Sequence, residues 1–390
     1  MGGARVALER GAARGDSVRG RPVHDALDGR RSDRGAARGG IPAPSGRCAC
    51  GGIVTSEGVM GRYFSYAQQS GHYFNRPHEK PAPGPIGGAA AWRRGDVADP
   101  AIWRTALAPV QVDELRAAVI HARGTGRALG DLRALDFPLP TLAREIARWR
   151  DEIQNGRGFQ VVSGVPVLEW SEADASLCFW CLGLHMGRPG AQNPQGDLLG
   201  HVRDDGADAR DPFVRLYRTA ANIAYHCDAA DVVGLLCLHG AKRGGASRIV
   251  SSVAVYDELV RRRPDLVARL YQPFLLDIRN EDASGALRYL PIPPCRYADG
   301  RLRTFYHSDY FRSVVRHADV PAFTGAEREL LDLYEAIAAQ PDFYLDMQFA
   351  PGDIQWLSNH TILHARTAYE DHPEPERRRH LLRLWLSIEA

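Results

Sequence analysis

The chain has 390 residues, a mass of 43.0 kDa, 44% apolar and 25% charged residues, and a formal net charge of +2. That length holds one large domain or two ordinary ones, and the composition is that of a water-soluble globular protein. The near-neutral balance excludes a general affinity for nucleic acid or anionic lipid, and no apolar run reaches the roughly 18 residues that cross a bilayer.

Residues 1–60 contain 13 Gly, 9 Ala and 10 Arg, with almost no aromatic or periodic apolar positions. Such a segment buries too little surface to offset its ordering entropy and reads as a disordered tail. Met60, which opens Met-Gly-Arg-Tyr-Phe-Ser-Tyr, offers an alternative start for the folded protein. The N-terminus lacks the apolar region of a secretory signal. Seven irregularly spaced cysteines suit a reducing cytoplasm rather than a disulfide framework. Cys178-Phe-Trp-Cys181 has redox or zinc spacing, but its neighbours read as an amphipathic helix and make it a pair of buried thiols. Cys48-Ala-Cys50 falls in the tail.

Residues 61–150 read as a mostly helical extension packing on the core. The pattern is helical from about Ala89 to Arg157, with apolar spacing clearest from Val112 and again from Thr141. Residues 151–390 then carry short strands: Gly158 to Pro166, Phe213 to Tyr217, Val232 to Leu238, Ser247 to Ser252, Phe274 to Ile278, Thr304 to His307, Ile354 to Leu357 and Arg379 to Leu386. Helices interrupt them at Ser171 to Gly187, Val253 to Arg262 and Gly325 to Ala339. Strands separated by Gly/Pro turns, with helices gathered at the start, predict a mainly β protein with flanking helices, a β-sandwich or jelly roll.

One constellation carries chemistry. His226 and Asp228 lie two apart, so on an extended segment they share a face, directly before the apolar strand from Val232. Near the C-terminus, the strand Ile354 to Leu357 delivers a polar loop with His364. Two imidazoles and one carboxylate on one face bind divalent iron and leave positions open for O2 and a co-substrate. The cluster Arg377-Arg-Arg-His-Leu-Leu-Arg383 follows about 15 residues later, and a guanidinium fork suits an organic-acid co-substrate. Arg379, Leu381, Arg383 and Trp385 share one face of that strand, so an inward Arg379 implies an inward Arg383.

His226-Cys-Asp228, the turn Gly244-Gly-Ala-Ser247, Asn359 with His364, and the terminal strand Arg379 to Leu386 together resemble the taurine dioxygenase-like family of Fe(II)/2-oxoglutarate-dependent oxygenases. The resemblance spans roughly residues 150–390. It implies a double-stranded β-helix core, Fe(II) held by His226, Asp228 and His364, and 2-oxoglutarate and O2 as co-substrates. Ser247 stands where the family has a threonine that helps hold 2-oxoglutarate. Arg379 matches the arginine that pairs with its carboxylate, with Arg378 as the competitor because the interval from His364 is longer than the family's. Arg383 falls where some members hold an anionic group of the primary substrate. Asp228 fills the position that halogenating relatives leave open, which favours hydroxylation of an unactivated C–H with release of succinate and CO2.

Further candidate substrate contacts are Asn222, four residues before His226, Gln192 and Asn193 in a Pro/Gly-flanked loop, and Arg303 and Tyr306 on the stretch Arg303 to Tyr310 at the end of a strand. Asn359 either orders its loop or touches substrate. The expected partner is a small, anionic or amino-acid-like molecule, and homo-oligomerisation stays open. Alternatives are desaturation or oxidative cyclisation at the same iron, a non-catalytic jelly-roll binding protein, or a zinc or manganese cupin, which leaves Arg379 and Ser247 without a role.

Overall fold

The strand Val232–His239 is apolar on both faces, as a strand covered on both sides must be. In the computed structural model it lies inside a seven-stranded sheet, between Ile354–Ser358 and His380–Ser387. Phe159–Ser163 and Arg104–Ala106 extend the sheet one way; Arg188–Gly190 and Gly200–Val202 both pair with His380–Ser387 at the other end. All its pairings are antiparallel except that of Arg104–Ala106 with Phe159–Ser163. The structure describes residues 63–211, 213–279, 281–282 and 287–388. The readings made for residues 1–60, including Met60, Cys48 and Cys50, lie outside them.

Period-two alternation sorts the side chains of this sheet. Leu382, Leu384 and Leu386 pack with Trp356 and Phe179 under the helices Pro109–Gly124, Leu142–Gln154 and Glu172–Met186. Leu381 and Trp385 point the other way, into a core shared with Ile249, Leu357 and Ile362. That core is closed by a four-stranded sheet in the order Tyr344–Met347, Ser247–Ser251, Ile362–Arg366, Ile223–His226. Its outer face is covered by the helices Ser252–Arg262 and Gly325–Ala338, through Val250, Leu363, Leu259, Leu330 and Tyr334. Two facing antiparallel sheets with helices outside form the jelly-roll core that the resemblance implies.

The inner strands approach so closely that Gly234 has no alternative. A Cβ there would stand 2.2 Å from Cζ3 of Trp356, a side chain buried in the helix-side core. Among the described residues, no helix is long and apolar enough to cross a membrane.

Four expectations about elements are corrected. Phe213 to Tyr217 is expected as a short strand, yet this segment enters no ladder and Leu216–Arg218 is a 3-10 turn. Residues 89–108 hold 3-10 turns and a short strand rather than a continuous helix. His364 sits within the strand Ile362–Arg366, not on a loop. The segment assigned to Thr304 to His307 is instead the strand Arg301–Thr304, folded onto Cys295–Ala298 by Asp299 and Gly300 with φ of 51° and 72°. An Asp-Gly pair with both φ positive is the two-residue hairpin turn that suits twisted strands.

Candidate active site

The edge strand Ile223–His226 pairs with Ile362–Arg366 so that His226 stands directly opposite His364. Directly opposed residues present their side chains on one face, and the two imidazole centroids lie 4.1 Å apart. The chain then leaves the strand, and Asp228 swings to within 3.8 Å of His364 Nε2 through Oδ2. Its backbone N–H donates to Asn359 Oδ1 at 3.0 Å, and Asn359 is fully buried. Asn359 therefore orders the Asp228 turn. One ligand atom from each of His226, Asp228 and His364 lies within 4.8 Å of the others.

His226 Nδ1 lies 2.9 Å from the Ala224 carbonyl, which makes it the donor and leaves the Nε2 lone pair free. Burial, followed by neighbouring His226, pushes His364 down to about 3, so that ring is neutral. Burial alone would raise Asp228, but Arg383, then His364 and His226, hold its carboxyl below the ordinary carboxylate range. Asp228 Oδ2 and His364 Nδ1 are buried without a hydrogen-bond partner. Buried polar atoms left unsatisfied cost about 1–3 kcal/mol each, and a cation between the three side chains satisfies the orphaned carboxylate oxygen. Two neutral imidazoles and an ionised carboxylate, all deprotonated, fit a divalent iron.

On the facing sheet, Arg383 is buried with Nη1 3.5 Å from Asp228 Oδ1. Its Nε donates to Gln192 Oε1 at 2.7 Å, while Gln192 Nε2 donates back to the Arg383 carbonyl at 2.8 Å. The guanidinium carbon lies 4.9 Å from the Tyr217 ring centroid and 5.2 Å from that of Trp385. Gln192 thus fixes both the backbone and the fork of Arg383.

Arg379 and Arg378 part company by exposure. Arg378 is exposed and reaches only the Pro373 carbonyl at 3.5 Å. Arg379 is 5% exposed, passes over the Tyr369 ring at 5.1 Å, and leaves Nη1 buried without a partner. A Cβ on Gly245, whose φ is 70°, would come within 3.1 Å of Arg379 Nε, so this glycine makes room for the side chain. Arg366 is a second buried guanidinium there. Its Nη2 donates to the carbonyls of Leu216, Thr219 and Ala221, but Nε and Nη1 stay unpartnered. Burial first, then Arg379, push Arg366 down to about 10. Ser247, opposite Arg366 in the ladder, donates its hydroxyl to Gln355 Oε1 at 3.0 Å. Two buried cations with unsatisfied donors form a receptor for an anion.

Other expected contacts do not converge on this centre. Tyr306 is fully buried, stacked on Tyr334 at 4.7 Å with its hydroxyl donating to Glu335 at 2.7 Å. Arg303 lines a separate cleft with Arg76, Asp231 and His360. Asn222 is exposed beside Arg248 and Glu335. Asn193, by contrast, exchanges two hydrogen bonds with Asp197 and lines the cleft that also holds Arg215 and Tyr217. The strand that carries Arg303 ends at Thr304, before Tyr306. Beyond it His307 forms an isolated bridge with His226, and its ring lies 5.1 Å from that of His226.

Sequence reasoning also missed the polar wall beyond His307. His307 stacks on Tyr310 at 3.8 Å, and Arg279 covers Tyr310 at 4.2 Å. Glu281 accepts two hydrogen bonds from Arg215, at 2.5 and 2.6 Å, and one from the Tyr66 hydroxyl at 2.7 Å. Arg215 also donates to the Gln192 carbonyl at 3.1 Å. Arg215, Arg279, Glu281 and Tyr217 line a cleft of about 590 Å³, and Tyr217 connects it to Arg383. These residues come from separate loops, with no spacing to betray them.

Residues 124–385 match the model of the Taurine catabolism dioxygenase TauD, TfdA family. The chain belongs to this family. It is a 2-oxoglutarate-dependent non-haem iron dioxygenase, with Fe(II), 2-oxoglutarate and O2 as cofactor and co-substrates. It is 29% identical over 314 residues to FR-33289 synthase of Streptomyces rubellomurinus, covering 78% of this chain and 91% of the relative. A taurine hydroxylase-like protein of Stachybotrys chartarum is 27% identical over 290 residues, covering 71% and 73%. A uridine-5'-phosphate dioxygenase of an Amycolatopsis species is 28% identical over 183 residues, covering 43% of this chain and 62% of the relative. Among solved structures, asparagine oxygenase in complex with Fe(II), 2S,3S-3-hydroxyasparagine and succinate aligns with a TM-score of 0.57 at 16% identity, covering 73% and 93%. The non-haem iron oxygenase OrfP in complex with Fe and alpha-ketoglutaric acid gives 0.56 at 13% identity, covering 73% and 94%. At these identities the two structures speak for the fold.

Proposed function

We propose that this dioxygenase hydroxylates an unactivated C–H bond of a small molecule bearing an anionic group, with 2-oxoglutarate converted to succinate and CO2. His226, Asp228 and His364 are the ligands of Fe(II); Arg379 and Ser247 receive the distal carboxylate of 2-oxoglutarate; Arg383 receives the anionic group of the substrate. The observation that carries the reading is Arg383 itself, a buried guanidinium 3.5 Å from Asp228 and locked by Gln192. The names of two relatives, a taurine hydroxylase-like protein and a uridine-5'-phosphate dioxygenase, also speak of a sulfonate and a phosphate. An amino-acid-like substrate fits the same wall, where Glu281 adds a carboxylate to the cleft that Tyr217 shares with Arg383.

Bound iron supplies O2 activation with 2-oxoglutarate as the reductant. The chain's own residues prepare that chemistry. The Ala224 carbonyl holds the proton of His226 on Nδ1, so Nε2 faces the metal position. Asn359 fixes the Asp228 turn, and Arg383 keeps the carboxylate ionised. Arg379 stays charged and offers an unpartnered Nη1 to the keto acid. Tyr217 and Trp385 cover the Arg383 guanidinium and exclude water from it. A cytoplasmic location agrees with five free, buried cysteines among the described residues.

The test is succinate formation from Fe(II), 2-oxoglutarate and a panel of sulfonates, phosphate esters and amino acids. An anionic member must raise turnover above the substrate-free rate, and Asp228→Ala must abolish it. Full turnover by Asp228→Ala, or stimulation by neutral compounds alone, overturns the reading.

A further inference from the structure

A second cluster of metal-ligating side chains lies away from the trio, where the strand Gly200–Val202 and the start of the helix Glu172–Met186 meet the first residue of His380–Ser387. His201 Nδ1 is 2.9 Å from His380 Nε2. Glu172 Oε1 is 3.7 Å from His201 Nδ1, and Glu172 Oε2 is 3.8 Å from His380 Nδ1. One ligand atom from each residue lies within 4.8 Å of the others. We propose that Glu172, His201 and His380 form a second divalent-metal site, of the zinc class and separate from the ferrous centre.

The donor set carries the choice of metal. Two imidazoles and one carboxylate, with a fourth position open to water, are a recurrent zinc environment, with Zn–N near 2.0–2.1 Å. Around a tetrahedral ion of that size two nitrogens stand about 3.3 Å apart. The present 2.9 Å contact therefore has to open by a few tenths of an ångström. The structure allows this: His201 is on a three-residue strand with its side chain 40% exposed, and Glu172 has 55% of its side chain in solvent. Burial pushes His380 down to about 4, so its ring is neutral with a free lone pair near neutral pH, as a metal ligand must be. Without a metal, a single proton between the two imidazole nitrogens joins them, and the Glu172 carboxylate stays beyond hydrogen-bond distance of both rings. A cation replaces that proton and engages all three groups. Arg203 and His239 also act on His380, and the fixed charge of Arg203 makes the site weaker than a closed structural zinc site.

The position gives the ion a consequence. His380 directly follows Arg379, and Arg383 on the same strand pairs with Gly200, beside His201. A metal here would tie the helix start and the edge strand to the strand that presents both guanidinium groups.

The experiment uses the full chain freed of metal by chelation, with zinc chloride as the probe. Zinc retained after dialysis should fall by one equivalent per chain in His201→Ala and likewise in Glu172→Gln. In a His364→Ala background, zinc should raise the thermal midpoint, and adding His201→Ala should remove that rise. Unchanged zinc content in both single variants, or a zinc-induced rise that survives His201→Ala, overturns the proposal. His201 and Glu172 are exposed, so both substitutions leave the fold intact, and the untreated melting curve checks this.

Discussion

Replacing Arg379 by Gln should have opposite effects on the empty and the loaded enzyme. The guanidinium is buried with an unpartnered Nη1, and Arg366 beside it is a second buried cation. Removing one of two mutually repelling buried charges relieves the empty protein, so its thermal midpoint should hold or rise. Binding of 2-oxoglutarate should collapse, because truncating one partner of a buried charge pair costs about 2–5 kcal/mol. At 1.36 kcal/mol per decade this is a roughly 30- to 5,000-fold loss of affinity. Wild type at 2-oxoglutarate one hundred times its Kd gains about 2.7 kcal/mol of stability from the ligand; the variant at the same concentration should gain about 0.9 kcal/mol or less. Calorimetric titration with a redox-inert divalent metal in place of iron measures the affinity, and thermal unfolding with and without 2-oxoglutarate measures the stabilisation. Arg378→Gln is the internal control, expected to match wild type in both because Arg378 is exposed. If Arg378→Gln loses the affinity while Arg379→Gln keeps it, the reasoning from burial fails.

Gln192→Ala should raise KM for the primary substrate about tenfold and leave KM for 2-oxoglutarate unchanged, since a charge-assisted hydrogen bond contributes roughly 1.5–3 kcal/mol and Gln192 touches Arg383 alone of the two anchors; a shift confined to 2-oxoglutarate would assign Arg383 to the wrong ligand. Gly234→Ala should lower stability by about 1–3 kcal/mol through overpacking against Trp356, read as a lower urea midpoint, and an unmoved midpoint would contradict the close approach. For Asp277, burial alone would raise the pKa, but Arg316, the Arg279 N–H, Ser313 and His317 together bring it down to about 2 from the ordinary 3.8. A depressed folded pKa stabilises the fold above the unfolded pKa, so a contribution of about 2 kcal/mol should decline as pH falls below about 4 and vanish near 2. Asp277→Asn should lose that amount at pH 7 and flatten the acid limb of the stability profile, and an acid limb as steep as wild type's would count against it.

The parts of the centre that sequence made visible are those tied to a period. His226 and Asp228 stand out because a two-residue spacing precedes a doubly apolar strand, and Arg383 because alternation along the last strand couples it to Arg379. His364 was harder to place, since Asn359-His-Thr-Ile-Leu-His364 mixes polar and apolar residues without a clean alternation. Its strand exists because it pairs with both Ser247–Ser251 and Ile223–His226. Phe213 to Tyr217 shows the converse: a short apolar-rich run makes no strand where no edge is at hand to receive it. The Arg215–Glu281–Tyr66 cluster is invisible in the sequence because it joins three segments far apart in the chain, one of them the helix Tyr66–Phe74.

His226 and His364 are carried by one sheet, while Arg379 and Arg383 belong to the strand segment at the heart of the other. The distance between metal ligands and anion anchors is therefore a thickness, set by how Ile249, Leu357, Ile362 and Trp385 fill the space between the walls. A methylene added or removed there would re-gauge the bite offered to the keto acid and substrate. Loops can then diversify around an aperture whose calibre is kept by hydrocarbon alone.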